Sequence, residues 1–153
     1  MIPVQRLNHA VLYVRDAARS ADFYRSTFGF ETVTELPGAA FLRAAGSSNH
    51  HDLGLFSVGP NAPGPEAGRV GLYHLAWQVG SIEDLRTARD TLRAVGAYVG
   101  ESDHGATKSI YGHDPDGNEF EIMWLLPRAE WGEHEHDAVV APLDLEAEIA
   151  RHG

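Results

Sequence analysis

The sequence contains no cysteine, so neither a disulfide framework nor a thiolate metal site can form, and any metal must be bound by His, Asp or Glu. Basic residues are also few: 12 Lys and Arg against 22 Asp and Glu give a formal net charge of −10 at pH 7, which argues against a nucleic-acid partner. No segment reaches the length of a membrane span, and the first residues lack the pattern of a signal peptide. We therefore expect a soluble, cytoplasmic protein that acts on a small molecule, with no nucleic-acid or membrane partner.

A repeat organises most of the chain. Residues 7–14 and 72–79 are apolar stretches that favour strands, and each has a histidine in its third position, His9 and His74. Both stretches are followed by a helix that ends at a glycine and then by three further strand-like segments. His74 lies 65 residues after His9, and the two helix ends keep nearly the same offset. The sequence therefore predicts an α+β fold of two βαβββ modules.

The length is that of one domain, residues 1–153, with a short amphipathic helix near its end. Its predicted parts are module 1 at about 5–58, a linker rich in glycine and proline at 59–71, module 2 at about 72–126, and a C-terminal helical tail at 127–153. Within the tail, His134 and His136 resemble part of a metal-binding cluster. Because polar residues surround them, we expect this pair to be solvated.

The segment from Ser102 to Trp124 carries most of the residues suited to chemistry. Residues 114–118, Asp-Pro-Asp-Gly-Asn, predict a tight turn, because each favours turns for a separate reason. After the turn, alternation with a period of two places Phe120 on the core side of a strand and Glu119 and Glu121 on the other. The two glutamates must then face solvent or a polar cavity.

Two histidines at equivalent positions and one carboxylate can form a metal site. If the modules pack around a pseudo-twofold axis, His9, His74 and Glu121 converge and leave open positions for substrate and dioxygen, as in non-haem Fe(II) enzymes. We choose Glu121 over Glu119 because it lies deeper in the strand. A single histidine of this kind is as often a hydrogen-bonded core residue, but two at matching positions favour metal binding.

The position equivalent to Glu121 in module 1 decides the number of ligands. It falls on Gly54 or Phe56, and neither side chain can bind a metal. The site then has three protein ligands, unless Asp52, the only nearby carboxylate, supplies a fourth.

Other polar residues are placed near the mouth of the same cavity. His50 and His51 precede a strand, so one of them is a candidate acid or base, although both could also be exposed loop residues. His104 and Tyr111 flank the mouth from module 2. The Tyr111 phenol could bind a substrate oxygen or be an ordinary strand aromatic.

The motifs LNHAVLYVRD, FYRSTFGF, LYHLAWQV and DPDGNEFEIMW together resemble the vicinal oxygen chelate superfamily, which includes glyoxalase I, bleomycin-resistance proteins and extradiol ring-cleaving dioxygenases. The resemblance covers about residues 7–126. It implies paired modules that form a cup-shaped, eight-stranded mixed barrel around a divalent metal, with His9, His74 and Glu121 at the metal positions.

Within the superfamily, NHHDLGLF and DHGATKSIYGHDPDGNEFE look like the catechol 2,3-dioxygenase group. That likeness implies an acid/base role for His51 and second-sphere roles for His104 and Tyr111. It implies a ring-cleaving dioxygenase that takes a catechol-like substrate, dioxygen and Fe(II), with Mn(II), Zn(II), Ni(II) or Co(II) as alternatives. Analogy also implies a homodimer.

Two other functions within the superfamily stay open. An oxygen-independent lyase, isomerase or thiol transferase normally uses four protein ligands, so it would require Asp52. A drug-sequestering protein of the bleomycin-resistance kind would bind its ligand without metal. The missing fourth ligand favours the dioxygenase, whereas a single domain departs from the duplicated pair that many such dioxygenases have.

Overall fold

The computed structural model describes residues 1–137 and 139–153, and it divides the chain into two compact units, Met1–Pro65 and Glu66–Gly153. The boundary falls inside the segment rich in glycine and proline that the sequence predicts to be irregular. Each unit contains one βαβββ module, and the second also carries the C-terminal segment. Among the described residues, no helix is both long enough and apolar enough to span a bilayer.

The first unit follows the predicted order of elements. These are β1 (Ala10–Val14), α1 (Ala17–Phe28), β2 (Glu31–Leu36), β3 (Ala39–Arg43) and β4 (Leu53–Ser57). The sheet order is β1-β4-β3-β2, with β1 parallel to β4 and the other pairs antiparallel. Helix α1 begins at Asp16, whose carboxylate accepts two backbone N–H groups, and it ends at Gly29 with φ 69°. The predicted glycine stop is confirmed.

The second unit repeats this topology. Its elements are β5 (His74–Gln78), α2 (Ile82–Ala94), β6 (Tyr98–Asp103), β7 (Thr107–His113) and β8 (Glu119–Leu125), in the sheet order β5-β8-β7-β6. A capping box between Ser81 and Asp84 starts α2. Phe120, Ile122 and Trp124 are buried on one face of β8, which confirms the alternation predicted from the sequence.

The turn before β8 forms as predicted. Oδ1 of Asp114 accepts the backbone N–H groups of Asp116 and Asn118, both at 2.9 Å, and its Oδ2 accepts the Asn118 side-chain amide at 2.9 Å. Because one buried carboxylate satisfies three donors, the turn fixes the point at which β8 begins.

The C-terminal segment folds against the second unit. It contains two 3₁₀ turns, Arg128–Glu130 and Gly132–Glu135, and helix α3 (Leu145–His152). Glu146 of α3 accepts a hydrogen bond from Arg89 of α2 at 2.8 Å. The expectation of a solvated His134 is wrong: its side chain is half-buried over Gly105, where an added Cβ would lie 2.7 Å from His134 Nδ1.

The eight-stranded barrel implied by the resemblance is not formed. Over residues 1–137 and 139–153 the strands make two separate four-stranded sheets. The physical reason is the parallel pairing of each module's first strand with its own last strand, β1 with β4 and β5 with β8, which completes each ladder inside one module. The α+β class, the two modules and the C-terminal helix are as predicted.

Candidate functional site

His74 lies between two carboxylates on one face of the second unit. The parallel pairing of β5 with β8 sets His74 opposite Glu119 and Ala76 opposite Glu121. Nε2 of His74 is 3.1 Å from Oε2 of Glu121, and its Nδ1 is 3.5 Å from Oε1 of Glu119. The period of two therefore brings both glutamates to the histidine, with Glu121 the nearer.

Glu121 is held in place by a neighbouring strand. Its side chain is buried, and the Ser109 hydroxyl donates to its Oε1 at 2.5 Å, which leaves Oε2 directed at His74. A buried carboxylate is strongly unfavourable unless hydrogen bonds or charges satisfy it, and Ser109 supplies one such hydrogen bond. Sequence reasoning missed Ser109. The signal was available: Ser109 shares a face of β7 with Tyr111, and Tyr111 pairs with Glu121 across the ladder.

Tyr111 and His104 are in direct contact. The Tyr111 hydroxyl is 2.8 Å from Nε2 of His104, and Nδ1 of the same ring is 2.7 Å from the backbone oxygen of Val139. Burial, followed by the charge of Glu121, raises the pKa of Tyr111 to about 12. The phenol is therefore protonated throughout the physiological pH range.

A cavity of about 450 Å³ opens on this face of the second unit. Its lining includes His74, His104, Tyr111 and Glu119 from the module, together with Val140 from the C-terminal segment. A lining that combines polar donors and acceptors with the aliphatic side chains of Val99 and Val140 suits a small, partly polar ligand.

The first unit groups three histidines near the start of its strands. The His9 and His51 rings lie with centroids 4.5 Å apart, and Nδ1 of His50 is 3.1 Å from Nδ1 of His51. His9 was predicted inside a strand, but β1 begins at Ala10; His50 and His51 precede β4, which begins at Leu53. His9 is also exposed.

A side-chain contact accounts for the late start of β1. The Asn49 amide donates to the backbone oxygen of Asn8 at 2.7 Å, so this carbonyl is bound by a loop side chain. The ladder with β4 begins only afterwards, where Ala10 N–H donates to the Asp52 carbonyl at 2.9 Å.

Asp52 anchors the loop that carries His50 and His51. Its carboxylate accepts from the Ala44 N–H at 2.9 Å and from the Ser47 hydroxyl and Asn49 amide, both at 2.7 Å. Burial is the largest single influence and raises the pKa of Asp52, but these hydrogen bonds together bring its pKa below the ordinary value. Both carboxylate oxygens are thus engaged in holding the loop.

The electrostatics around His51 favour a neutral imidazole. Burial is the main cause of its lowered pKa, the neighbouring His9 and His50 lower the pKa further, and Asp52 opposes them. A neutral imidazole can accept a proton. The Phe41 and His51 rings form a T-shaped contact with centroids 5.2 Å apart, so an aromatic ring also packs against the histidine.

The strand registers resolve which residue is equivalent to Glu121. Val11 pairs with Gly54 in the first unit, as Ala76 pairs with Glu121 in the second, and Val11 and Ala76 keep the same offset as His9 and His74. Gly54 therefore occupies the equivalent position, and it offers no metal ligand.

The second unit supplies some, but not all, of the donors that a divalent metal requires. In the second unit an imidazole and a buried carboxylate point at each other, and the buried Nδ1 of His74 has no hydrogen-bond partner among the described residues. Such N and O donors suit Fe, Mn, Co, Ni or Zn. Within residues 1–137 and 139–153 no group of three His, Asp or Glu side chains is assembled as a metal cluster; His9, the third predicted ligand, belongs to the first unit.

Comparison with known proteins agrees with the predicted resemblance. Catechol-2,3-dioxygenase from Bacillus subtilis is 32% identical over 126 residues, which cover 82% of this chain and 43% of that protein. Manganese-dependent 2,3-dihydroxybiphenyl 1,2-dioxygenase from Geobacillus genomosp. 3 is 32% identical over 136 residues, 84% of this chain and 40% of that protein. The chain thus spans less than half the length of these two relatives.

The fold is also found among solved structures. The crystal structure of lactoylglutathione lyase from Agrobacterium tumefaciens superposes with a TM-score of 0.61 at 26% identity, covering 80% of this chain and 96% of that one. A protein-family model matches residues 6–122 of the chain. This match shows that the chain belongs to the Glyoxalase/Bleomycin resistance protein/Dioxygenase superfamily.

Proposed function

We propose that this chain is a metal-dependent, extradiol-type ring-cleaving dioxygenase that acts on a catechol-like small molecule. The observation that carries the proposal is that His74 and Glu121 face each other in the second unit. The first unit has no second carboxylate at the position equivalent to Glu121, because that position is Gly54. One carboxylate with histidines leaves coordination positions open for substrate and dioxygen. The names of the two dioxygenase relatives point to the same chemistry.

The proposed metal ligands are His9, His74 and Glu121. Ser109 orients Glu121 through its hydroxyl, and Glu119 lies beside the second nitrogen of His74, a position from which a carboxylate orients a ligating imidazole. When bound, the metal supplies a Lewis acid for the two vicinal oxygens and a redox centre shared with dioxygen. Fe(II) is our first choice, and Mn(II) is the second because one relative is named for it. The same donor set accepts Zn(II), Ni(II) or Co(II).

The proton transfers are assigned to the first unit. His51, kept neutral by burial and by His9 and His50, would accept the proton of one substrate hydroxyl and return it during ring opening. Tyr111, which stays protonated, would hold the substrate oxygen, and His104 would support it through its contact with the phenol. Both atoms of dioxygen enter the ring-opened product, so no further reductant is required. By analogy with the family, we propose a homodimer.

Oxygen uptake by the Fe(II)-loaded protein, mixed with a panel of catechols, tests this proposal. We expect uptake with a yellow ring-opened product, lost in His51→Ala and retained in His136→Ala, a control at an exposed histidine of the C-terminal segment. Absence of uptake by protein that holds one metal per chain would overturn the dioxygenase assignment. Full activity in His51→Ala would overturn the assignment of the acid/base residue.

The second candidate is an oxygen-independent lyase of the same superfamily. Its support is the lactoylglutathione lyase structure, which this chain matches over 96% of that chain's length. A fourth ligand would have to come from Asp52, and the hydrogen bonds to both of its oxygens argue against that role. Anaerobic turnover of lactoylglutathione by the metal-loaded protein would favour this candidate. Tight drug binding without metal would instead favour a sequestering protein.

A further inference from the structure

The segment at residues 139–141 lies outside the family match of residues 6–122, yet it adds to the polar face of the second unit. Ala141 forms an antiparallel bridge with Asp103, at the end of β6: each residue donates its N–H to the other's carbonyl at 2.9 Å. Two such bonds fix the backbone of this short segment beside the β6–β7 turn, where His104 lies.

The Val139 carbonyl, two residues before this bridge, determines which nitrogen of His104 carries the proton. A backbone carbonyl can only accept, so the 2.7 Å contact from Nδ1 to the Val139 oxygen requires Nδ1–H. In a neutral imidazole Nε2 is then an acceptor. The 2.8 Å contact with Tyr111 must therefore be a hydrogen bond donated by the phenol.

The direction of that bond changes what Tyr111 can do. Its proton points at His104, so a ligand in the cavity meets the lone pairs of the phenol oxygen, which also has the Ser109 side chain as a hydrogen-bond partner. Such an oxygen accepts a hydrogen bond from a hydroxyl group and has no proton to offer an oxyanion. The side chain of Val140 faces the same cavity and is 79% exposed, which leaves it free to contact a ligand.

We propose that residues 139–141 are part of the substrate site, where the Val139 carbonyl holds His104 as the Nδ1–H tautomer, directs the Tyr111 proton away from the cavity, and leaves Tyr111 to select a ligand that presents a protonated hydroxyl. Val140 forms the apolar wall against which the body of that ligand packs. The tautomer follows from contacts within the second unit, whereas the nature of the ligand rests on the proposed function. His104 and Val139 act in this scheme as positioning residues.

The tautomer is measurable in the full-length protein without any substrate. Long-range ¹H–¹⁵N correlation spectra of the histidine-labelled chain distinguish Nδ1–H from Nε2–H, with a His104→Gln spectrum to assign the signal. We expect His104 as Nδ1–H alone. A signal from Nε2–H, or from a mixture of tautomers, would overturn the proposal even if the chain proves to be an active dioxygenase.

The role of the segment is tested with two variants. Ala141→Pro removes the N–H that Ala141 donates to Asp103, and we expect it to release His104 into both tautomers. Val140→Ala keeps the Val139 carbonyl in place, so its His104 signal should stay at Nδ1–H. An unchanged tautomer in a folded Ala141→Pro variant would refute the claim that residues 139–141 fix the tautomer of His104.

The wall is tested separately by kinetics on whichever catechol the wild-type protein cleaves. We expect Val140→Ala to raise KM about three- to tenfold with kcat within about twofold, because it removes apolar contact with bound ligand. Val70→Ala, at a fully exposed valine of the same unit, is the matched control and should leave KM unchanged. An unaltered KM in Val140→Ala would remove this residue from the site.

Discussion

The two units share one topology and differ in the chemistry of the same sheet face. In the second unit that face carries His74, Ser109, Tyr111 and two glutamates. In the first unit the corresponding face is apolar and largely aromatic, formed by Val11, Tyr13, Phe41 and Phe56 around Gly54. The strand order and the helix packing therefore do not determine where polar donors lie. Instead, the alternate residues of the central strands determine where those donors lie.

Gly54 shows the difference at one position. A Cβ built there would lie 3.3 Å from a Val11 methyl and 3.5 Å from the Phe41 ring, so the aromatic ring covers the place where the second unit has a carboxylate. One module thus presents an apolar surface at this position, and the other presents a buried carboxylate.

The largest expected effect comes from removing the negative charge that distinguishes the second unit at this position. Glu121→Gln removes the anionic donor but keeps the size and an acceptor for Ser109, so we expect metal affinity to fall by about 100-fold or more. Glu119→Gln is the matched control on the same face and should cost about tenfold. Metal content after equilibrium dialysis measures both, and a full equivalent of tightly bound metal in Glu121→Gln would exclude Glu121 as a ligand.

A second comparison uses two strand glycines that lie beneath aromatic rings. At Gly112 an added Cβ would meet the Phe120 ring at 2.6 Å and the Ala97 carbonyl at 2.9 Å, a backbone contact that cannot move aside. We expect Gly112→Ala to lower the free energy of unfolding by about 1–3 kcal/mol and Gly54→Ala by less than about 1 kcal/mol. Urea denaturation measures the two values, and equal costs would contradict the contacts described.

Much of the fold and part of the candidate site could be predicted from the sequence. The features that could not be predicted share one cause. Local periodicity correctly predicts the repeat, the β8 core face and the turn at Asp114. The contacts of Asn49 with Asn8 and of His104 with Val139 join residues 41 and 35 positions apart, and no local pattern encodes them. The late start of β1 and the part played by the C-terminal segment therefore became evident only from the fold.

Asp52 makes the free energy of unfolding of the first unit depend on pH. Its pKa in the folded state lies below the unfolded value of about 3.9, so its contribution to stability is complete above that value and is lost as pH falls through the folded pKa. We expect Asp52→Asn to cost about 1–2 kcal/mol near pH 7, because one acceptor oxygen is replaced by a donor.

The cost of Asp52→Asn should stay constant down to about pH 5 and shrink below about pH 4. Urea titrations of both proteins across this range measure it. A difference that widened at acid pH would contradict the sign of the shift. Ser47→Ala, which removes one of the donors to Asp52, should show a smaller loss with the same trend.

The smallest effect is expected where α3 packs on α2. Glu146 accepts from Arg89 at 2.8 Å, but its side chain is 61% exposed, so water already solvates much of its charge. We expect Glu146→Ala to cost less than about 1 kcal/mol, and the cost to vanish at high salt. A cost above about 2 kcal/mol would show that α3 contributes more to the second unit than a surface contact.

Under the proposed function, the direct pairing of β5 with β8 would separate the residues that bind metal from those that select the substrate. His74 and Glu121 lie on adjacent strands, so their spacing depends on one backbone ladder and not on the connections that build the pocket walls. Loops and the tail can accumulate insertions or be exchanged between homologues while that spacing persists. If the proposed function holds, a different sequence at residues 139–141 would alter substrate range without changing the spacing of His74 and Glu121.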